Sequence, residues 1–304
     1  MEITFIDRSE LVKQGKLLTF EVAMKPLPDE RMRTIRVWLP PLYDGNRSFP
    51  VLYMHDGQVI IPDKEWADLI GGWKVDEIIP SLEPEIQCIV VAIDHSDDRG
   101  SELLPPYARN PAHMIPRPAG QPEYTPLGHY YADFVRDTLK PIIDGNFLTK
   151  PDAANTGIGG ASMGGLQSFY MTMKDPDVFG RSFDLSPGMD ILDESCLSLI
   201  DSYDPGRLNN VRFYMCCGDQ EIEETIMTST ITVYRRMKDR LHLDSRHLCA
   251  VIDTREYHWN SSWSRFLADG IRYLFSEDNS VEGPPDMSQF IKKEQADDSL
   301  PLEE

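Results

Sequence analysis

Thr156-Gly157-Ile158-Gly159-Gly160-Ala161-Ser162-Met163-Gly164-Gly165-Leu166 runs from a short apolar segment into a helix-forming one through a serine set among glycines. Gly160, Ser162 and Gly164 have the spacing G-x-S-x-G. A chain that turns sharply from strand to helix leaves no room for side chains on either side of the serine, so glycine is required there. Such a turn lifts the Ser162 hydroxyl to the carboxyl edge of a sheet. It also places it at the N-terminus of the next helix, where the dipole and the free N–H groups favour a developing negative charge. A glycine turn merely capped by serine is the competing reading. The strand signal before Ser162 and the apolar helix signal after it favour the elbow.

Outward from this elbow the chain alternates between two periods. Upstream, residues 16–24 and 32–39 alternate apolar and polar side chains and flank the turn-rich Lys25-Pro26-Leu27-Pro28-Asp29, which predicts an antiparallel hairpin. A third strand over 50–54 ends at His55-Asp56-Gly57-Gln58. The apolar run 87–94 reads as a strand buried inside a parallel sheet. Helices are expected over 130–143, 163–173, 222–241 and 262–275, and strands over 155–160, 182–185, 211–217 and 248–253. A leading hairpin followed by repeated strand–helix alternation implies an α/β fold with a mostly parallel sheet covered on both faces. Residues 1–275 are expected to form one domain. Residues 276–304, with many acids and Gly283-Pro284-Pro285, read as a disordered tail. The Pro-rich stretch 105–126, with Tyr107 and Tyr124, is expected to be irregular and to border a pocket.

A serine hydroxyl needs a base, and in an elbow of this kind the partners follow in the order serine, acid, histidine. His242, His247 and His258 come late enough. His242 and His247 flank a helix end and its loop, whereas His258 follows the last predicted strand, where a loop can carry it over the sheet edge. His258 is therefore the expected base. The acid should follow the strand over 211–217, where Gly218-Asp219-Gln220-Glu221 offers two carboxylates. Spacing does not choose between Asp219 and Glu221, and either could simply cap the following helix. An oxyanion needs two backbone donors: the N–H of Met163, and one from the loop after the third strand, at Gly57 or Gln58.

The composition narrows the partners. Thirty Lys and Arg oppose fifty Asp and Glu, a net charge of −20, which repels nucleic-acid phosphates and anionic membranes. The N-terminus lacks the apolar run of a signal peptide, and no segment has the length of a membrane span. Cys88, Cys196, Cys216, Cys217 and Cys249 are odd in number and lack metal-type spacing. Free thiols in a reducing cytoplasm are the expectation, with no metal site. Nothing in the composition decides between a monomer and a homo-oligomer.

These motifs together resemble the putative-esterase family of α/β-hydrolase enzymes, which includes esterase D-like, feruloyl, acetyl-xylan and enterobactin-type esterases. The resemblance runs from about Thr34 to Phe275. It rests on residues 51–58 (VLYMHDGQ), Gly72-Trp73 with Asp76, and the Arg99/Glu102/Pro105 pattern. It continues through Leu139-Lys140-Pro141 with Ile143-Asp144, residues 160–166 (GASMGGL), Phe179-Gly180, Ser186-Pro187, and His258 followed by Trp263. It implies the α/β-hydrolase fold, a serine–acid–histidine triad and hydrolysis through an acyl-enzyme, without metal or organic cofactor. It also implies Glu221 as the acid, by its distance from Gly218, and the Gln58 N–H as the second oxyanion donor. Leu103 stands where the family often has tyrosine, and Trp259 where it commonly has a small or polar residue. Both bear on the shape of the substrate pocket.

The resulting expectation is a serine carboxylesterase acting on a small-molecule ester, such as an acylated sugar or a phenolic ester. Acyl transfer to an alcohol would use the same triad. A non-catalytic binding protein on this fold is the remaining alternative, against which the intact Ser162, His258 and Glu221 argue.

Overall fold

The computed structural model describes residues 3–25, 27, 31–65, 71–108, 123–189 and 194–277. Nine strands form one sheet in the order β1-β2-β3-β5-β4-β6-β7-β8-β9. β2 (Lys16–Ala23) pairs antiparallel with β1 (Ile6–Asp7) on one side and with β3 (Met32–Leu39) on the other, and β3 runs antiparallel to β5 (Ile89–Ile93). From there β4 (Val51–His55), β6 (Thr156–Ala161), β7 (Arg181–Leu185), β8 (Arg212–Cys217) and β9 (Leu248–Ile252) continue in parallel with β5. The predicted hairpin is the β2–β3 pair, registered Lys16 to Leu39 through Ala23 to Met32. β1 escapes a reading by periodicity because two residues cannot show alternation.

The helices are α1 (Gly57–Ile60), α2 (Val75–Ile78), α3 (Arg99–Glu102), α4 (Gly128–Phe134), α5 (Lys140–Asn146), α6 (Met163–Lys174), α7 (Glu194–Ser202), α8 (Ile222–Leu241), α9 (Asn260–Arg265) and α10 (Leu267–Phe275). The helix expected over 130–143 is in fact α4 and α5 joined by a π-helical turn, Val135–Leu139. Pro141 has no N–H to give the carbonyl of Asp137, so a regular α-helical ladder is interrupted there. The last expected helix is likewise two, with Phe266 between α9 and α10.

Two cores sandwich the sheet because strand side chains alternate faces. Tyr53, Val91, Ile158, Phe213 and Met215 point into the core under α4, α6 and α8. Leu52, Met54, Val90, Phe183 and Tyr214 point into the core under α2 and α10. α10 is driven onto that face by Leu267, Ile271 and Leu274, at the i, i+4, i+7 spacing of one helical stripe. All five cysteines are buried and unpaired. No helix among the described residues is long and apolar enough to cross a membrane. The expected tail after residue 277, and residues 109–122 of the Pro-rich stretch, lie outside the described residues.

Candidate active site

The carboxyl ends of β4, β6 and β8, with the loop after β9, meet at one edge of the sheet, where ligands bind in open parallel α/β sheets. Ser162 stands between β6 and α6 with φ 59° and ψ −123°, a conformation that non-glycine residues rarely adopt. The elbow is wedged from several sides. A Cβ on Gly160 would lie 3.0 Å from the Gly164 backbone and from the His55 ring, and one on Gly165 would lie 2.8 Å from the Leu185 carbonyl. The Ser162 N–H donates to the Leu185 carbonyl at 2.9 Å, tying the elbow to β7. Met163 opens α6, and its N–H is one of the first-turn groups that have no acceptor within a helix.

His258 is on the loop between β9 and α9, and its side chain is 23% exposed. Its ring meets Trp263 edge to face at 4.9 Å, and the Trp263 Nε1–H donates to Ser186 Oγ at 2.8 Å. The carboxylate against its Nδ1 is that of Glu223: Oε1 lies 2.6 Å away. The other oxygen of Glu223 accepts the Gly218 N–H at 2.9 Å, and the residue is fully buried.

This corrects the expectation of Glu221. Glu221 is exposed and sits at the N-cap of α8 in a strained conformation, φ 56° and ψ −123°. Two residues further on, within the first turn of the helix, Glu223 points back under the sheet edge. Asp219, the alternative, is engaged by the side chain of its neighbour Gln220 instead. The available signal was burial: Glu223 falls on the apolar stripe of α8, with Ile226, Thr230, Val233 and Met237. A carboxylate on such a stripe requires a partner.

The loop after β4 closes the site. Asp56 is left-handed (φ 63°) and starts the single turn α1. Burial works against its ionisation, but the charge and the paired hydrogen bonds of Arg99, at 2.5 and 2.7 Å, outweigh this and hold its carboxyl below the usual range. The Gln58 side chain is clamped to His95, donating to its carbonyl at 3.0 Å and accepting its N–H at 2.8 Å. The main-chain N–H of Gln58 is thereby left in the first turn of α1, where a helix has no acceptor for it. Beneath both helix starts lies His55, wholly buried, with Nδ1 2.8 Å from the Tyr131 hydroxyl. Burial pushes its pKa down to about 4, so it is a neutral imidazole.

A cavity of about 210 Å³ opens between these groups, walled by Asp56, Trp73, His95, Arg99, Ala161 and Trp263. Ala161 immediately precedes Ser162. Of the Pro-rich stretch, Tyr107 packs on Tyr170. Tyr124 fills the space that a Cβ on Gly100 would need, next to Arg99.

Sheet order, elbow and histidine loop together define the α/β-hydrolase class of fold. Within it, residues 29–202 match the model of the Esterase family, described as Putative esterase, and the chain belongs to that family of ester hydrolases. It is 37% identical over 216 residues to an endo-1,4-beta-xylanase/feruloyl esterase of Xylanibacter ruminicola, a match covering 66% of this chain and 24% of that protein. Among solved structures it is similar to the BES protein from Bacillus cereus, with TM-score 0.66, 18% identity and coverage of 86% of this chain and 96% of that one. It is also similar to the enterobactin esterase FES from Shigella flexneri, with TM-score 0.62, 15% identity and coverage of 90% and 58%. At these identities the structural likeness is one of fold.

Proposed function

We propose that the protein is a serine carboxylesterase that cleaves a small-molecule ester through an acyl-enzyme. The observation that carries this reading is the contact between His258 Nδ1 and the buried Glu223 carboxylate at 2.6 Å, at the sheet edge where Ser162 is held in a strained elbow. Ser162 Oγ attacks the ester carbonyl while His258 Nε2 takes its proton. Glu223 keeps Nδ1 protonated and stabilises the imidazolium that forms. The N–H groups of Met163 and Gln58 receive the oxyanion. His258 then gives its proton to the departing alkoxide. Water, deprotonated by the same histidine, releases the acid and restores Ser162.

The cavity next to the elbow, walled in part by Trp73 and Trp263, offers apolar and aromatic surface to a small ester. The exposed Tyr257 and Trp259, on either side of His258, offer aromatic surface to the alcohol portion. An acylated sugar or a phenolic ester suits both features. Five buried free thiols suit a reducing compartment such as the cytoplasm.

The test compares wild type and Ser162→Ala on p-nitrophenyl acetate and butyrate, with fluorophosphonate labelling read by mass spectrometry. Turnover and a label on Ser162, both absent from the variant, are expected. Full activity in Ser162→Ala, or a label elsewhere, would overturn the reading.

A further inference from the structure

At the opposite end of the sheet, β7 and β8 begin with Arg181 and Arg212, whose Cα atoms are direct partners in the ladder. Two like charges in register repel, and such pairs are normally separated or matched by carboxylates. Among the described residues neither guanidinium has an ion-pair partner; both are held by main-chain carbonyls. Arg181 is 7% exposed and donates through Nη1 to Gly180 and Asn210, at 2.8 and 2.7 Å. Its Nε–H is buried without any acceptor. Arg212 donates to the carbonyls of Tyr273 and Ser276, at 2.9 and 2.7 Å, at the C-terminus of α10. Burial and then the neighbouring Arg212 push the pKa of Arg181 down to about 10, a fall that the charge of Asp152 opposes but does not cancel.

Both arginines line a cavity of about 430 Å³, together with Asn210, Arg246, His247 and Asp152. Three arginines thus face one lining carboxylate, on a chain whose net charge is −20. Asp152 is engaged by the Asn155 side-chain amide, with both oxygens at 3.0 Å. Asp244, outside the lining, pairs with Arg246 at 2.6 Å and with His247 at 2.7 Å and orders them. The Nε and Nη2 edge of a guanidinium is the fork that receives two oxygens of one anion. In Arg181 that edge makes no hydrogen bond among the described residues.

We propose that this cavity is a binding site for a small oxyanion of the phosphate type, inorganic phosphate or a phosphate monoester, seated on Arg181 between Arg212 and Arg246. The site is separate from the Ser162 edge. The strands between the two ends place them on the order of 15 Å apart.

The test is isothermal titration calorimetry of the full chain with inorganic phosphate, against chloride at matched ionic strength. One saturable site is expected for phosphate and none for chloride. Arg181→Met should weaken binding at least tenfold, the loss expected when charge-assisted hydrogen bonds are removed. Arg246→Glu, at a position whose side chain is 65% exposed, should weaken it about tenfold while leaving the fold intact. Turnover at Ser162 should be unchanged in Arg246→Glu. Absence of saturable heat up to about 10 mM phosphate, well above a millimolar affinity, would overturn the proposal. So would equal phosphate affinity in wild type and Arg246→Glu.

Discussion

Glu221 and Ser162 share one backbone conformation: φ 56° and ψ −123° at Glu221, φ 59° and ψ −123° at Ser162. Each is the N-cap of the helix that follows a parallel strand, Ser162 directly after β6 and Glu221 four residues after the end of β8. At β6–α6 this turn presents its own side chain, Ser162, at the sheet edge. At β8–α8 the same turn leaves Glu221 exposed and brings Glu223, in the first helical turn, beneath His258. One local geometry therefore serves two ends. Strain of this kind costs of order 1–3 kcal/mol per residue and persists only where the surroundings enforce it.

The first prediction follows from that division. Glu223→Gln retains the shape but cannot hold the imidazolium, and kcat should fall by about 10³–10⁴. Glu221→Gln should keep kcat within about twofold, because an exposed side chain away from His258 contributes little. Steady-state kinetics on p-nitrophenyl acetate check both. A larger loss from Glu221→Gln than from Glu223→Gln would reverse the assignment.

The oxyanion donor proposed at residue 58 is a main-chain group, so side-chain truncation and N–H removal should have different effects. Gln58→Ala loses the clamp to His95 and should cost less than about tenfold in kcat. Gln58→Pro removes the N–H at a first-turn position where helices accept proline, and should cost about 10²–10³. Matching circular dichroism spectra would separate loss of the donor from loss of the fold.

His55 makes stability depend on pH. Its folded pKa is about 4, against an ordinary 6.5. Between these values the unfolded chain takes up a proton that the folded one refuses. Stability is therefore fully present above pH 6.5 and is lost as pH falls from 6.5 to 4, by about 3 kcal/mol. Urea denaturation at a series of pH values should show this slope in wild type. In His55→Gln the 4–6.5 window should flatten, and a slope unchanged by that substitution would exclude His55 as its source.

Asp184 has the opposite sense. It sits on β7, fully buried, with one oxygen accepting from Ser182 Oγ at 2.7 Å and the other unpartnered among the described residues. Burial raises its pKa well above the usual range, so the folded state holds a neutral acid. The unfolded chain releases that proton near pH 4, so folding near neutrality must take it back. Asp184→Asn removes this linkage and should raise Tm, with a gain that grows as pH rises from 4 toward 8. Differential scanning calorimetry at three pH values checks it. A Tm gain independent of pH would point to packing instead.

Much of this molecule is legible in one dimension. The β2–β3 hairpin, the strand–helix alternation and the Gly160–Gly164 elbow are local patterns, dictated by side-chain period and by the steric needs of a tight turn. The chain order of serine and histidine singled out Ser162 and His258. The bounds of α8 could also be read from its periodicity, while the π-helical turn before Pro141 could not. Tertiary structure alone decided which carboxylate meets His258. Counting from Gly218 treats the segment as extended, but the chain enters a helix at Ile222 and a side chain's direction then depends on the turn it occupies. It also decided that Arg181 and Arg212, 31 residues apart in sequence, stand side by side with no ion-pair partner among the described residues. Their pairing is set by strand register across β7 and β8, to which no local pattern in either strand refers.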